Sequence, residues 1–198
     1  MSLLALAPAR CVRALSLNSL CSHCSDICPT NAISLSGRLP SINQSFCVGC
    51  AGCVSACPSE ALALDDFNTT EFFFSFISDD ETVVSCQKNL PCIAALSVEH
   101  LISLCSLKKD LVLDTGHCGS CDIGSKVLEV MEERIQSANY LLEAIEVEKR
   151  VVCEEIAYSS GEANEPKDRR DFFKTFHLRG IVKAKYDFEK EVQSTTDE

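Results

Sequence analysis

Fourteen cysteines stand in this 198-residue chain, and most are spaced to set several thiolates around one object. Cys21-x2-Cys24-x3-Cys28-Pro29 and Cys50-x2-Cys53-x3-Cys57-Pro58 form two similar runs, 29 residues apart. Iron takes thiolate sulfur in tetrahedral sites, and a cubane iron–sulfur cluster needs four such ligands. A C-x2-C-x2-C loop supplies three of them from one stretch of chain, and the fourth comes from a distance. The proline after the fourth fixes the backbone where the chain leaves the loop. Residues 47–58 match that pattern in full, with Cys47, Cys50, Cys53, Cys57 and Pro58. Gly49 and Gly52 let the backbone approach inorganic sulfur and present N–H groups to it.

The first run departs from the pattern. The residue three before Cys21 is Asn18, so the remaining ligand has to be Cys11, across a gap of nine residues. In two-cluster runs the fourth cysteine ligates the other cluster. One [4Fe–4S] cluster is therefore assigned to Cys11, Cys21, Cys24 and Cys57, and a second to Cys47, Cys50, Cys53 and Cys28. A zinc ribbon would use two paired C-x2-C sites, with no need for the third loop cysteine or the proline, twice over. A single-cluster chain with a degraded first site is the other alternative. On these residues the segment 11–64 resembles the bacterial two-cluster ferredoxin family. That resemblance implies a pseudo-twofold ferredoxin fold and one-electron transfer between partners. It also implies use as a module fused into subunits of hydrogenases, formate dehydrogenases and related complexes.

Six cysteines remain, and four of them form a second group: Cys86-x5-Cys92 and Cys118-x2-Cys121. Asn89, Pro91, Gly116, Gly119 and Gly124 supply turns around them, and His117 could replace a ligand. The group is read as a third centre, [2Fe–2S] or [4Fe–4S], with structural zinc or unmetallated thiols as alternatives. The C…PC…HC-x2-C pattern over residues 82–124 is similar to that of the small iron–sulfur subunit of methyl-viologen-reducing hydrogenases. Cys105, on the apolar face of a helix, and Cys153, alternating in a strand, read as buried core thiols. His23, between two ligands, reads as exposed.

These residues must be positioned by short elements. Each cysteine run ends in an apolar segment, Ile33–Leu35 and Ala61–Leu64, with a turn at Gly37-Arg38 and Pro40 between the two units. Beyond Asp66 the pattern alternates. Thr69 or Thr70 caps a short helix with Glu71 in its first turn. Thr82–Ser85, Leu111–Leu113 and Arg150–Ala157 read as strands, and Ser97–Leu107 and Ser125–Ile145 as helices. Helices alternating with strands imply a small parallel sheet. Its carboxyl edge would gather Cys86, Cys92, Cys118 and Cys121, where such folds bind ligands. The expected fold is α+β: a ferredoxin-like domain over residues 1–66, a small α/β domain over 67–157, and a linker and partly disordered tail over 158–198.

Composition narrows the function. Hydrophobic residues make up 46 %, enough for a packed core. The net charge of −11 lies entirely in residues 65–157, which hold 18 acids and seven bases. No basic patch suits nucleic acid. The start of the chain lacks a basic run and meets Cys11 at once, so it is not read as a signal peptide. No stretch approaches the roughly 20 apolar residues of a membrane span. Clustered thiols then point to a reducing, cytoplasmic setting. A twin-arginine-like stretch, Arg169-Arg170-Asp171-Phe172-Phe173-Lys174, lies far from the start and is read as chance or a docking element.

The function expected is electron transfer to or from a larger oxidoreductase or another carrier, with no catalysis by the chain itself. Only five charged residues stand in the first 64, fewer than a free-standing carrier usually keeps. A maturation or interaction protein, recruiting a client through Arg169–Lys185, is the first alternative. An enzyme using a catalytic thiol or disulfide at 86–121 is the second, and no cysteine there has a partnering His and acid at recognisable spacing.

Overall fold

The computed structural model describes residues 2–107 and 110–157. The expected linker, the aromatic segment Phe172–Ile181, the twin-arginine-like stretch and the tail lie outside the described residues.

The first 64 residues fold as β1 (Leu4–Leu6), a 3-10 turn at Pro8–Arg10, α1 (Val12–Leu15), α2 (His23–Asp26), β2 (Ile33–Ser34), β3 (Ser41–Ile42), α3 (Gly52–Ser55) and β4 (Leu62–Leu64). These are single turns and short ladders, because two- and three-residue apolar segments can do no more. β1 pairs antiparallel with β4, setting Leu4 opposite Leu64, and β2 pairs antiparallel with β3. The repeat seen in the cysteines is a repeat of backbone. α2 and α3 begin 29 residues apart, as do β2 and β4. Asn31 and Glu60, also 29 apart, both hold the left-handed conformation, with φ of 53° and 48°. Asn tolerates that region; Glu60 costs roughly 1–2 kcal/mol there. Its carboxylate is engaged by Arg10 at 2.8 Å.

The chain continues through α4 (Thr69–Ser78), β5 (Val83–Val84), a 3-10 turn at Ile93–Ala95, α5 (Val98–Leu107), β6 (Leu111–Asp114), a 3-10 turn at Cys118–Ser120, α6 (Gly124–Ala144) and β7 (Val151–Glu154). β5, β6 and β7 form the expected parallel sheet, in sequence order. Right-handed crossovers in that order put both connecting helices on one face. Accordingly α5 packs on α6, and Val84, Leu111, Leu113 and Val151 are buried, as are Leu101, Leu104, Met131 and Leu142 on the helices. The opposite face carries Val83, Val112 and Val152 in one register row.

Some boundaries shift from those expected. Asn68, rather than Thr69 or Thr70, caps α4, accepting from the N–H groups of Thr70 at 2.9 Å and Glu71 at 3.1 Å. Its side chain carries the acceptor one position earlier, and the helix starts at Thr69. β5 stops at Val84 because Asn89 takes over the next groups. Its amide donates to the Val83 carbonyl at 2.9 Å and accepts from Ser85 N–H at 3.0 Å. β7 ends at Glu154, where its partner β6 ends. Cys153, expected in the core, is exposed: β7 is an edge strand, and only Val151 of its four residues is buried.

One cluster of buried side chains runs through the whole described chain. It includes Leu4, Ile33, Leu62 and Leu64 beside the cysteine loops, the ring series Phe67–Phe72–Phe76, and the interior of the three-stranded sheet.

Candidate metal centres

All fourteen cysteines lie within the described residues, and none is in a disulfide. The spacing predicts that the two runs exchange their last cysteines. A cavity is lined by Cys28, Cys47, Cys50 and Cys53 together, with Leu4, Ile33 and Leu64 among its apolar walls. Cys28 thus leaves its own run and joins the second. Cys24 lies within electrostatic reach of Cys21 and Cys57, and also of Cys53. Each run's last cysteine precedes a short strand, β2 after Cys28 and β4 after Cys57.

The two exchanging cysteines have matched surroundings. The Ala32 N–H donates to Cys28 Sγ at 3.2 Å, and the Ala61 N–H donates to Cys57 Sγ at 3.2 Å. The left-handed residues Asn31 and Glu60 turn those N–H groups toward the sulfur. Thr30 and Ser59 hydroxyls stand near the same sulfurs, at 3.7 and 3.6 Å. N–H donation to thiolate sulfur stabilises the more negative state of a cluster and raises its potential. Gly49 takes φ of 67°, as its role in the loop requires, but Ala51 also lies in the left-handed region, at 59°. The Gly52 N–H donates to the Cys50 thiol, and a Cβ on Gly52 would lie 3.8 Å from Cys50 Sγ.

Cys11 is buried, and the segment between it and Cys21 is folded back by two arginines. Arg13 donates to the carbonyls of Cys21 and Gly37 at 3.1 and 3.2 Å, while Arg38 donates to Ala14 O. On the other side, Ala7 N–H bonds Ala61 O at 2.7 Å and Arg10 pairs with Glu60. Cys11 is therefore held at the end of the molecule that carries Cys57. The inserted residues form α1 and a loop on which Leu15, Leu17 and Leu20 are 68 %, 83 % and 89 % exposed.

The second cysteine group also converges. Cys86 follows β5, and Cys118 and Cys121 follow β6, at the carboxyl edge of the sheet. Cys118 lies within reach of Cys86 and Cys121, and Cys92 within reach of Cys86, Cys118 and also Cys50. Cys153, one residue short of the end of β7, adds a fifth thiol near Cys118. Gly124 permits the tight return after Cys121, since a Cβ there would fall 1.8 Å from the Cys118 carbonyl oxygen. His117 is exposed, 3.5 Å from the Ser120 hydroxyl, and His23 is exposed.

Asp114 organises this edge, and the sequence reading missed it. It is 2 % exposed. One carboxylate oxygen accepts from the Ser85 hydroxyl at 2.6 Å; the other accepts from Gly116 N–H at 2.9 Å and Ile156 N–H at 3.2 Å. A buried carboxylate is stable only with such donors. Here they come from the ends of all three strands, so Asp114 ties together the chains that bear Cys86, Cys118 and Cys153. An acid at the end of an apolar strand, LVLD, was the available signal.

Burial pushes the thiols of Cys24, Cys50 and Cys53 up, with neighbouring thiols adding to the effect. It pushes Cys92 up to about 12 and Cys118 up to about 11. Thiols in such places become ligands by exchanging a proton for a metal. Among the described residues, no three His, Cys, Asp or Glu side chains are grouped so as to hold one metal ion. A polynuclear cluster instead spreads its thiolates around its own faces, and the Cys28, Cys47, Cys50 and Cys53 cavity suits that arrangement.

Residues 19–61 match the family model for a 4Fe-4S dicluster domain. Among curated proteins, the ferredoxin-type protein NapF of Haemophilus influenzae is 36 % identical over 56 residues, 26 % of this chain and 32 % of that protein. An uncharacterized ferredoxin of Methanocaldococcus jannaschii is 29 % identical over 102 residues, 48 % of this chain and 57 % of that protein. The chain thus spans between about a third and just over half the length of the curated relatives it matches. No solved structure matches. Residues 19–61 are thus similar to a 4Fe-4S dicluster domain, and their thiols fit 4Fe–4S clusters. Among the described residues, no helix is long and apolar enough to cross a membrane.

Proposed function

We propose that the chain is an iron–sulfur electron-transfer protein or subunit that carries electrons to or from a larger redox enzyme, or to another carrier. Two [4Fe–4S] clusters are held by Cys11, Cys21, Cys24 and Cys57, and by Cys28, Cys47, Cys50 and Cys53. A third centre is held by Cys86, Cys92, Cys118 and Cys121. When bound, each such centre stores and releases one electron with no bond of a substrate made or broken. The chain's own part is to hold the thiolates, exclude water with Leu4, Ile33, Leu62 and Leu64, and donate Ala32 and Ala61 N–H groups to sulfur. The observation that carries the reading is the single cavity lined by four cysteines drawn from two separate runs. That arrangement is what a two-cluster exchange of ligands needs.

The exposed leucines of the inserted loop favour work in a complex. Leu15, Leu17 and Leu20 lie between Cys11 and Cys21, on a stretch with one charge, Arg13. Apolar surface beside a redox site is suited to a protein partner that must approach closely. Free thiols in such number belong in a reducing compartment, consistent with a cytoplasmic setting.

Anaerobic purification with iron, sulfide and zinc counted per chain, and EPR of the reduced form, tests the reading. About eight irons correspond to two clusters, and a clear excess to a third. Protein that binds no iron, or that cannot be reversibly reduced, would leave electron transfer without support.

A further inference from the structure

The two halves of the chain meet at one place that the electron-carrier reading does not by itself require. Gly52, in the second cysteine run, opens α3. A Cβ built on it would lie 3.5 Å from Ala94 Cβ and 3.8 Å from Cys50 Sγ. Ala94 belongs to the 3-10 turn that begins directly after Cys92. The absence of a side chain at Gly52 therefore lets the backbone beyond Cys92 settle against the loop that carries Cys50 and Cys53. The space left between the halves is a small void lined by Cys50, Gly52, Ala94 and Val127 among others.

The contact is locked by polar groups. The Ser55 hydroxyl donates to Ala94 O at 2.8 Å. Arg134, reaching across from α6, donates to Ser55 Oγ at 3.1 Å, to Ala94 O at 2.9 Å and to Leu96 O at 2.6 Å. Arg134 sits on the stripe of α6 that buries Val127, Met131, Ala138 and Leu142. A guanidinium on an apolar face is costly unless it meets acceptors, and Arg134 sets one nitrogen, Nη1, among two backbone carbonyls and a hydroxyl at this junction.

We propose that Gly52, Ser55, Ala94 and Arg134 form a fixed joint that seats the Cys50 side of the second quartet against the Cys92 side of the third thiol group. Metal centres held at those two places are then immediate neighbours. The Cys28, Cys47, Cys50 and Cys53 site becomes the internal connection, and the Cys11, Cys21, Cys24 and Cys57 site the outer one, beside the exposed leucines. Arg134 and Ser55 are positioning residues in this arrangement, touching no metal. The proposal rests on iron being bound at the third thiol group.

The test uses full-length protein, purified anaerobically and reduced with dithionite. Iron per chain is counted and magnetic coupling between centres is read by EPR, in wild type, Cys92→Ala, Cys21→Ala and Arg134→Ala. Cys92→Ala is expected to lower the iron count and abolish one set of spin–spin splittings on the second quartet's signal. Cys21→Ala is expected to leave those splittings in place while removing the first quartet's signal. Arg134→Ala is expected to keep the iron count and weaken the same splittings. If that variant does not fold, Arg134→Lys, which keeps the charge and loses the planar fork, replaces it. An iron count unchanged by Cys92→Ala, or zinc at the third group, overturns the underlying third-centre reading. Iron present there, but uncoupled from the second quartet or coupled to the first, overturns the joint alone.

Discussion

Cys11 is the ligand whose spacing departs furthest from the repeat, and its setting shows how the departure is accommodated. Arg13 and Arg38 fold the inserted residues back on the Cys21 and Gly37 carbonyls. Ala7 and Arg10 fasten the other flank to Ala61 and Glu60. Cys11→Ala is therefore expected to lower iron per chain and alter the EPR signal of the first quartet, with the second quartet's signal unchanged. An unaltered iron count would remove Cys11 from the ligand set. Asp114 is the other residue of note. Its carboxylate joins the three strand ends that present the second cysteine group.

Two helix starts depend on single side chains. Asn68 satisfies two N–H groups at the start of α4, and α4 carries the Phe72 and Phe76 rings into the core. Asn68→Ala is expected to cost about 1 kcal/mol, read as a lower denaturant midpoint at unchanged slope. At α5, the His100 ring nitrogen accepts from Ser97 N–H at 3.1 Å, and Ser97 Oγ accepts from His100 N–H at 3.3 Å. Burial holds His100 below its ordinary value of 6.5. The folded chain then resists a proton that the unfolded chain accepts, so this contribution is complete above about pH 6.5 and declines as pH falls below it. Hydrogen exchange at the α5 amides, corrected for intrinsic rate, should show opening more often at pH 5.5 than at 7.5. His100→Asn should flatten that dependence.

Across the whole molecule the charge is unevenly placed. Acids crowd residues 65–157, yet the junction of the two halves holds a half-buried cation, Arg134. Burial lowers its pKa and nearby Glu99 opposes that, and a guanidinium stays charged across the accessible range. A positive charge beside α3 favours the more reduced, more negative state of whatever Cys50 and Cys53 hold. Arg134→Gln should therefore lower the midpoint potential of that cluster more than that of the other, in an EPR-monitored redox titration. Equal shifts at both would assign the effect to overall charge instead.

The duplication at 29 residues and the ladder of helices and strands were legible from residue spacing alone. Thiolate coordination needs set numbers of cysteines at set intervals, and amphipathic segments declare their period in one dimension. The placing of Cys86 after β5, and of Cys118 and Cys121 after β6, also followed from strand order. The exposure of Cys153, the strand-end latch at Asp114 and the Gly52–Ala94–Arg134 joint were not legible. Each depends on which element becomes an edge, or on which surfaces of distant segments meet. Arg134 lies 40 residues from Ala94 and 79 from Ser55 in the chain, and no local pattern carries information over such distances. The residues specified which thiols each half of this protein carries. How those halves are connected was decided only by packing, because close approach of backbone to backbone is a property of the folded chain.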